Sequence, residues 1–432
     1  MRRRGWLVVP VVLGLTLASL ALSPRRAAAQ EAAPLRMEDA VQLALANNER
    51  AKKAPLRVEQ AAGQLERARD AFFPTLSAGA SQQFGLQEDR TGRSMTTAGT
   101  VTLAQPIVAP SAFPQYSQAS HQLESERWGA TQDRRQLAYE AARAFLQTLT
   151  AERVAEAAAR RLERARANLA NAEARAEAGL ASINDATRAS LEVSNAAREV
   201  ATAQGSVGRA RITLGFLCGT RVDRALAPPD KTTQRAESVD ALAKRDLEGA
   251  LDRRPDVRSA RERTEALRAS AREPLYRLVP TLAANAQMRV NPAPAGTERG
   301  HEETITLNLQ WPIFDAGVRY ADRKTRVAQA DSQELDERLL RRSVDADVQS
   351  ALVSLRAARE SLRLADEAVT AAQRSSEETE ILYRQGLARA IELTDANGRR
   401  FDAEVSRASA KLSMEQAYLD LRFALGFGPV EE

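Results

Sequence analysis

Cysteine is nearly absent: Cys218 stands alone in 432 residues, so no intrachain disulfide is possible and packing must hold the chain together. Histidine is almost as scarce. His121 and His301 have no second histidine at ligand spacing, which leaves no basis for a zinc site or a catalytic triad. With no glycine-rich phosphate loop and no nucleophile elbow, neither an enzyme nor a cofactor or metal is expected. Beyond residue 30 no run of 18 apolar residues occurs, so no membrane-crossing helix is expected; a β-barrel, whose strands leave a much weaker hydropathy trace, stays open.

An excess of one charge is also missing. The chain carries 62 Lys and Arg against 57 Asp and Glu, but Arg2, Arg3, Arg4, Arg25 and Arg26 all precede residue 30, and the remainder of the chain is formally neutral. A nucleic-acid surface loses its main support. Those first residues, "MRRRGWLVVPVVLGLTLASLALSPRRAAAQ", combine a basic start, an apolar core from Gly5 to about Leu22, and Ala27 and Ala29 spaced for cleavage before Gln30. Residues 1–29 are therefore expected to be a secretory signal peptide, and the lack of a nearby cysteine argues against a lipid anchor.

What is present is a long internal repeat. "FFPTLSAGA" (72–80) answers to "LVPTLAANA" (278–286), and "TVTLAQPI" (100–107) to "TLNLQWPI" (306–313), each 206 positions apart. Gly179 matches Gly386 and Gly219 matches Gly426 at 207. Two copies of one unit are expected, 30–226 and 240–432, joined by a linker over 227–239. Each copy reads as a helix, a β-hairpin (about 75–106 and 281–312), a long helix, a tip near 179 or 386, and a returning helix. Pro55 is expected to kink or delay the first helix. Cys218 answers to Leu425, a helix-end core position, and reads as a buried inert thiol.

The hairpin strands alternate. Ile305, Leu307, Leu309 and Trp311 share one face, with Thr304, Thr306, Asn308 and Gln310 on the other. From Val318 to Gln385, 68 residues contain neither Gly nor Pro, enough for a helix of roughly 100 Å. Along it Val344, Val348, Ala351, Leu355, Ala358, Leu362, Ala365, Val369 and Ala372 step by four and three, the seam of a left-handed coiled coil.

Strands of this length suit a tilted membrane crossing, and their apolar and hydroxyl/amide faces suit lipid outside and water inside. Hydrocarbon tolerates no open sheet edge, so four strands need partners, and three chains supplying twelve would close a barrel with a lumen. Aromatic residues are only 4% of the chain, yet Phe72, Phe73, Phe113, Tyr116, Tyr276, Trp311, Phe314 and Tyr320 gather where strands meet helices. An interfacial belt fits this placement; ordinary packing at the junction is the other reading.

In this order, and twice, "MEDAVQLALANN", "FFPTLSAGA", "LNLQWPIFDAG", "AGLASINDATRA" and "YRQGLARAIELTDA" resemble the TolC family of outer-membrane efflux channels over nearly all of the chain after residue 30. The resemblance implies a mainly α protein with a membrane β-portion. In it a homotrimer forms a 12-stranded barrel in the outer membrane, continued through the periplasm by a 12-helix barrel. It further implies a periplasmic adaptor and an inner-membrane pump of the RND, ABC or MFS type, serving efflux or type I secretion. By the same likeness Gly179, Leu180, Gly386 and Leu387 are adaptor-contact tips. Glu392 and Asp395 match an acidic pore ring, to which Asp185 answers in the first copy. Tyr383 matches a latching tyrosine; Ala388 stands where some members carry a latching arginine, leaving Arg389 as the nearby candidate. A solvated acidic face, or acids answering a helix dipole, is the other reading of Glu392 and Asp395. The rival classes are a periplasmic adaptor or coiled-coil scaffold and an exported enzyme.

Overall fold

The computed structural model describes residues 33–85, 95–179, 182–238, 247–292, 294 and 299–430. The expected leader 1–29 and Leu180 at the first tip lie outside these residues. In chain order the elements are α1 (Met37–Asn47), α2 (Glu49–Asp70), β1 (Thr75–Phe84), β2 (Met95–Val108), α3 (Ala112–Glu177), α4 (Ile183–Cys218) and α5 (Asp230–Ser238). They continue with α6 (Leu247–Arg253), α7 (Pro255–Tyr276), β3 (Thr281–Val290), β4 (His301–Gln310), α8 (Val318–Arg384) and α9 (Ala390–Ala424). Apart from α5, the first series recurs as the second.

The four strands form one antiparallel sheet in the order β1-β2-β3-β4. Its register places the alternating faces in continuous rows. Leu76, Leu103, Ala286 and Ile305 run across one face, while Ser77, Thr102, Gln287 and Thr304 run across the other. A register shift between Pro106 and Val108 lets β2 absorb a proline that cannot donate to the ladder.

Below the sheet the helices stand in four columns. Nearer the strands the order is α2, α3, α7, α8; toward the tips it is α4, α3, α9, α8. Helices α3 and α8, 66 and 67 residues long, are continuous through both levels. The other two columns are spliced. At one splice Asn48 is buried: its Oδ1 accepts the Arg50 N–H at 2.9 Å, capping α2, and its Nδ2 donates to the Leu217 carbonyl at 3.0 Å, completing the end of α4. At the other, Arg253 Nε donates to the Leu425 carbonyl at 3.1 Å. Gly219 and Gly426 end the incoming helices with φ of 65° and 90°.

The first helical stretch therefore divides at Asn48, ahead of Pro55, which lies inside α2. The division is made there because an extended Asn48 satisfies two helix ends at once. Asn48→Ala leaves both ends open and is expected to destabilise the fold by about 1–3 kcal/mol, read as a lower urea midpoint for loss of helical circular dichroism.

The core sits at the level of the splices. Leu137, Phe145, Leu146, Leu214 and Leu419 are fully buried around the first, and Val344, Val348, Met414 and Leu421 around the second. The four-and-three seam of α8 is its buried stripe: Val344, Val348, Ala351, Leu355 and Val369 are inside, and the stripe runs on through Ser376 to Tyr383. Among the described residues no helix is long and apolar enough to cross a membrane.

Candidate functional site

Two regions carry the chemistry that the sequence singles out, the apolar band on the strands and the tips of the helices. On the band Ile305, Leu307 and Leu309 have no cover, Ile305 being 81% exposed. From Ile305 to Trp311, just past the end of β4, around 20 Å of chain at about 3.3 Å per residue offers a continuous apolar outer row. Beyond Ile305 the same row turns polar at Glu303 and His301. On the opposite face Arg289 and Glu302 sit directly across from each other, and the remaining described residues of β3 and β4 on that face are Thr, Ala, Asn or Gln.

Aromatic residues mark the helical end of that band. Phe314 is 86% exposed, and Phe73, Phe113, Tyr116, Tyr276 and Tyr320 are also on the surface. The Phe72 and Phe113 rings meet at 5.0 Å, and Trp311 Nε1 donates to the Leu278 carbonyl at 3.0 Å, so the indole is anchored with its polar atom satisfied. Within one chain most of these side chains lie on the surface of the junction. The turn beneath is set by Ala316 and Gly317, both at positive φ, with Asp315 accepting the Gly317 and Arg319 N–H groups at 3.1 and 3.2 Å.

At the other end, Gly179 and Gly386 adopt φ of 70° and 80° and turn the two hairpins over. Leu387 is 74% exposed. Just beyond, Glu392 accepts the Arg389 N–H at 3.2 Å and Asp395 pairs with Arg399 at 2.7 Å, yet both carboxylates remain on the surface. Asp185 is half-buried at the start of α4. Tyr383 is buried, and its partner is Arg175 near the end of α3: the guanidinium donates to the Tyr383 carbonyl at 2.6 Å and lies 5.1 Å from the ring centre. Nothing in the sequence singled out Arg175, one of many arginines on α3. Arg389 instead stands at the N-cap of α9.

Between the two hairpins runs a seam of arginines from α3. Arg160 pairs with Glu404 at 3.1 Å, and Arg161 binds Glu192 and Glu199 at 2.8 and 2.7 Å while lying 5.0 Å from the Phe401 ring centre. Arg161 thereby ties α3 to α4 and α9 together.

Cys218 is fully buried, and burial pushes its thiol up to about 11. Alkylation by iodoacetamide at pH 8 is therefore expected to be negligible in the folded protein and rapid in urea, as followed by mass. His121 Nδ1 lies 2.8 Å from a Glu262 oxygen. Among the described residues no group of three or more His, Cys, Asp or Glu is placed to hold a metal.

The family described as outer membrane efflux protein matches residues 40–220 and again 247–427. Protein CyaE of Bordetella pertussis is 30% identical over 345 residues, 76% of this chain and 70% of its own length. Among solved structures, the CmeC outer membrane channel of Campylobacter jejuni superposes with a TM-score of 0.78 at 17% identity, covering 92% of this chain and 87% of that one. The open state of the Neisseria gonorrhoeae MtrE outer membrane channel does so with 0.76 at 20% identity, covering 91% and 89%. Matched in sequence by both of its copies and in space over nearly its whole length, the chain belongs to the outer membrane efflux protein family, whose members are outer-membrane channels with a large periplasmic helical portion and not enzymes.

Proposed function

We propose that three copies of this chain close into one continuous duct, the outer-membrane component of a tripartite efflux pump or type I secretion system, opened at its periplasmic tips by an adaptor. The observation that carries this is the recurrence of four columns, open on both sides, at every level of the fold. Strands β1 and β4 are unpaired edges, and an unpaired edge in hydrocarbon costs several kcal/mol per orphaned backbone group. The helical edges tell the same story: α4 exposes Leu191, Ile212 and Phe216, and α8 exposes Leu335, Leu339, Val353 and Leu364. Placing the α4 edge of one copy on the α8 edge of the next, with β1 beside β4, closes twelve strands and twelve helices together. The hydroxyl and amide face then lines water and the Ile305 row meets lipid.

In that assembly the tips at Gly179 and Gly386, with Leu387, meet the adaptor hairpins, and Glu392 and Asp395 contribute six carboxylates to the narrowest aperture. Arg175 on Tyr383 holds each pair of hairpins together. An inner-membrane pump supplies the energy, and the duct remains passive.

The experiment is conductance of the detergent-purified protein in planar lipid bilayers, alongside an unheated gel band at three times the chain mass. A cation about 8 Å from one carboxylate in water gains about 0.5 kcal/mol. Glu392→Gln with Asp395→Asn is therefore expected to lower the cation-to-anion preference severalfold at low salt, and far less at 1 M, where screening shortens to about 3 Å. An unchanged reversal potential removes the acidic ring, and a monomer soluble without detergent removes the duct.

A further inference from the structure

On the hydroxyl and amide face of the sheet, charge is confined to one level. Up to Pro106, the described residues of β1 and β2 on that face are Thr, Ser, Ala, Gly, Gln or Pro, and β3 and β4 add Arg289 and Glu302 to an otherwise uncharged set. The register puts these two in a single row, Gly79, Thr100, Arg289 and Glu302, one residue from each strand. Arg289 stands three residues beyond Ala286, the partner of Ile305, and so about 10 Å farther along the strand from the helices. At that height the outward row has already turned from Ile305 to Glu303 and His301. The row therefore marks the end of the sheet away from the helices, past the apolar band.

Residues directly opposite on antiparallel strands share a face with Cβ atoms about 5 Å apart. Such matching is not general at this end of the sheet: on the outward face Glu303 lies opposite Met288, and His301 opposite Val290. Charge is set against charge only on the face given to water. In a closed trimer three of these rows make one level, with three guanidinium and three carboxylate groups taking turns around the wall. Strand β1 brings no charge at any register, because its residues on that face are all uncharged. The alternation is thus independent of how β4 of one copy meets β1 of the next. For an ion on the axis, three attractions and three repulsions act from similar distances and nearly cancel, and only a charge drawn toward the wall meets either sign closely. Without Glu302 the same level would be a ring of arginines, which attracts anions and repels cations.

We propose that Arg289 and Glu302 are a specificity-determining pair, which keeps the outer mouth of the duct electrically balanced along its axis so that cargo of either sign can leave past it. This inference rests on the duct reading. Neither residue does this alone: each one by itself turns the mouth into a sieve for one sign of charge. With both in place, the charge preference of the whole pore is set elsewhere along its length, and the mouth adds no second selection.

The test is the reversal potential of the purified protein in planar bilayers under a salt gradient, in the Glu392→Gln and Asp395→Asn background so that the tip acids do not mask the mouth. Arg289→Gln leaves three unmatched carboxylates and is expected to raise the cation-to-anion preference about threefold at low salt, and Glu302→Gln leaves three unmatched guanidinium groups and is expected to lower it by a similar factor. Both substitutions together, and the exchange of Arg289→Glu with Glu302→Arg, are each expected to return the preference of the background. The exchange keeps a pair in every copy and carries the test if a single substitution costs the unheated trimer band. Single substitutions that leave the preference unchanged or shift it with the same sign, or an exchange that departs from the background, overturn the proposal. Absence of conductance from the unsubstituted protein instead overturns the duct itself.

Discussion

Leu307→Arg is expected to abolish stable insertion of the protein into the outer membrane, whereas Thr306→Arg, one residue away, is expected to insert normally and narrow the pore. Leu307 lies midway along the exposed apolar row of β4, between Ile305 and Leu309, while Thr306 belongs to the hydroxyl and amide face. Arginine at the midplane of a lipid-facing strand costs about 2–4 kcal/mol. Three copies multiply this to roughly 6–12 kcal/mol per assembly, comparable with the whole stability of an ordinary domain. On the water side the same charge stays solvated, and its effect is on conductance. Membrane fractionation and the unheated trimer band read the first effect, and single-channel current reads the second. Equal loss from both substitutions would mean that the two faces are not lipid and water.

The second large effect is expected at a splice between columns. Gly219→Ala places a Cβ 2.8 Å from the Cβ of Asn47, and does so at a φ of 65° that L side chains rarely adopt. The backbone conformation costs about 1–2 kcal/mol, and the overlap adds about 1–3 kcal/mol because Asn47 is itself held against the Cys218 carbonyl and has no room to retreat. Gly317→Ala separates the two contributions. Gly317 has a φ of 87° but nothing within 4 Å of a built Cβ, so only the backbone cost of about 1–2 kcal/mol is expected there. Urea midpoints for loss of helical circular dichroism should order as native, then Gly317→Ala, then Gly219→Ala. Equal midpoints for the two variants would mean that the splice is slack.

Features written in short-range periodicity were legible from residues alone. The alternation of β4, the four-and-three seam of α8 and the tip glycines each declare themselves within a few residues. The repeat doubled that signal, since a pattern seen weakly once is believable when it returns 206 positions later. Partner choice across long stretches of chain was not legible. Asn48 reaches Leu217 across 169 residues and Arg175 reaches Tyr383 across 208. No local pattern distinguishes Arg175 from the other arginines of α3, because what sets it apart is the helix opposite. The division at Asn48 was hidden for a related reason: Pro55 is visible as a local breaker, whereas the double cap at Asn48 is completed by another helix.

The two splices fall at one height, and at that height α3 and α8 run unbroken beside them. A wall built of alternate whole and jointed staves does not fold along its row of joints, because each joint is braced by a whole stave next to it. In a closed ring every jointed stave would have whole neighbours on both sides. Such a conduit keeps its waist stiff and its bore open there, and a push delivered at the lower rim travels up the whole staves without buckling the collar on the way.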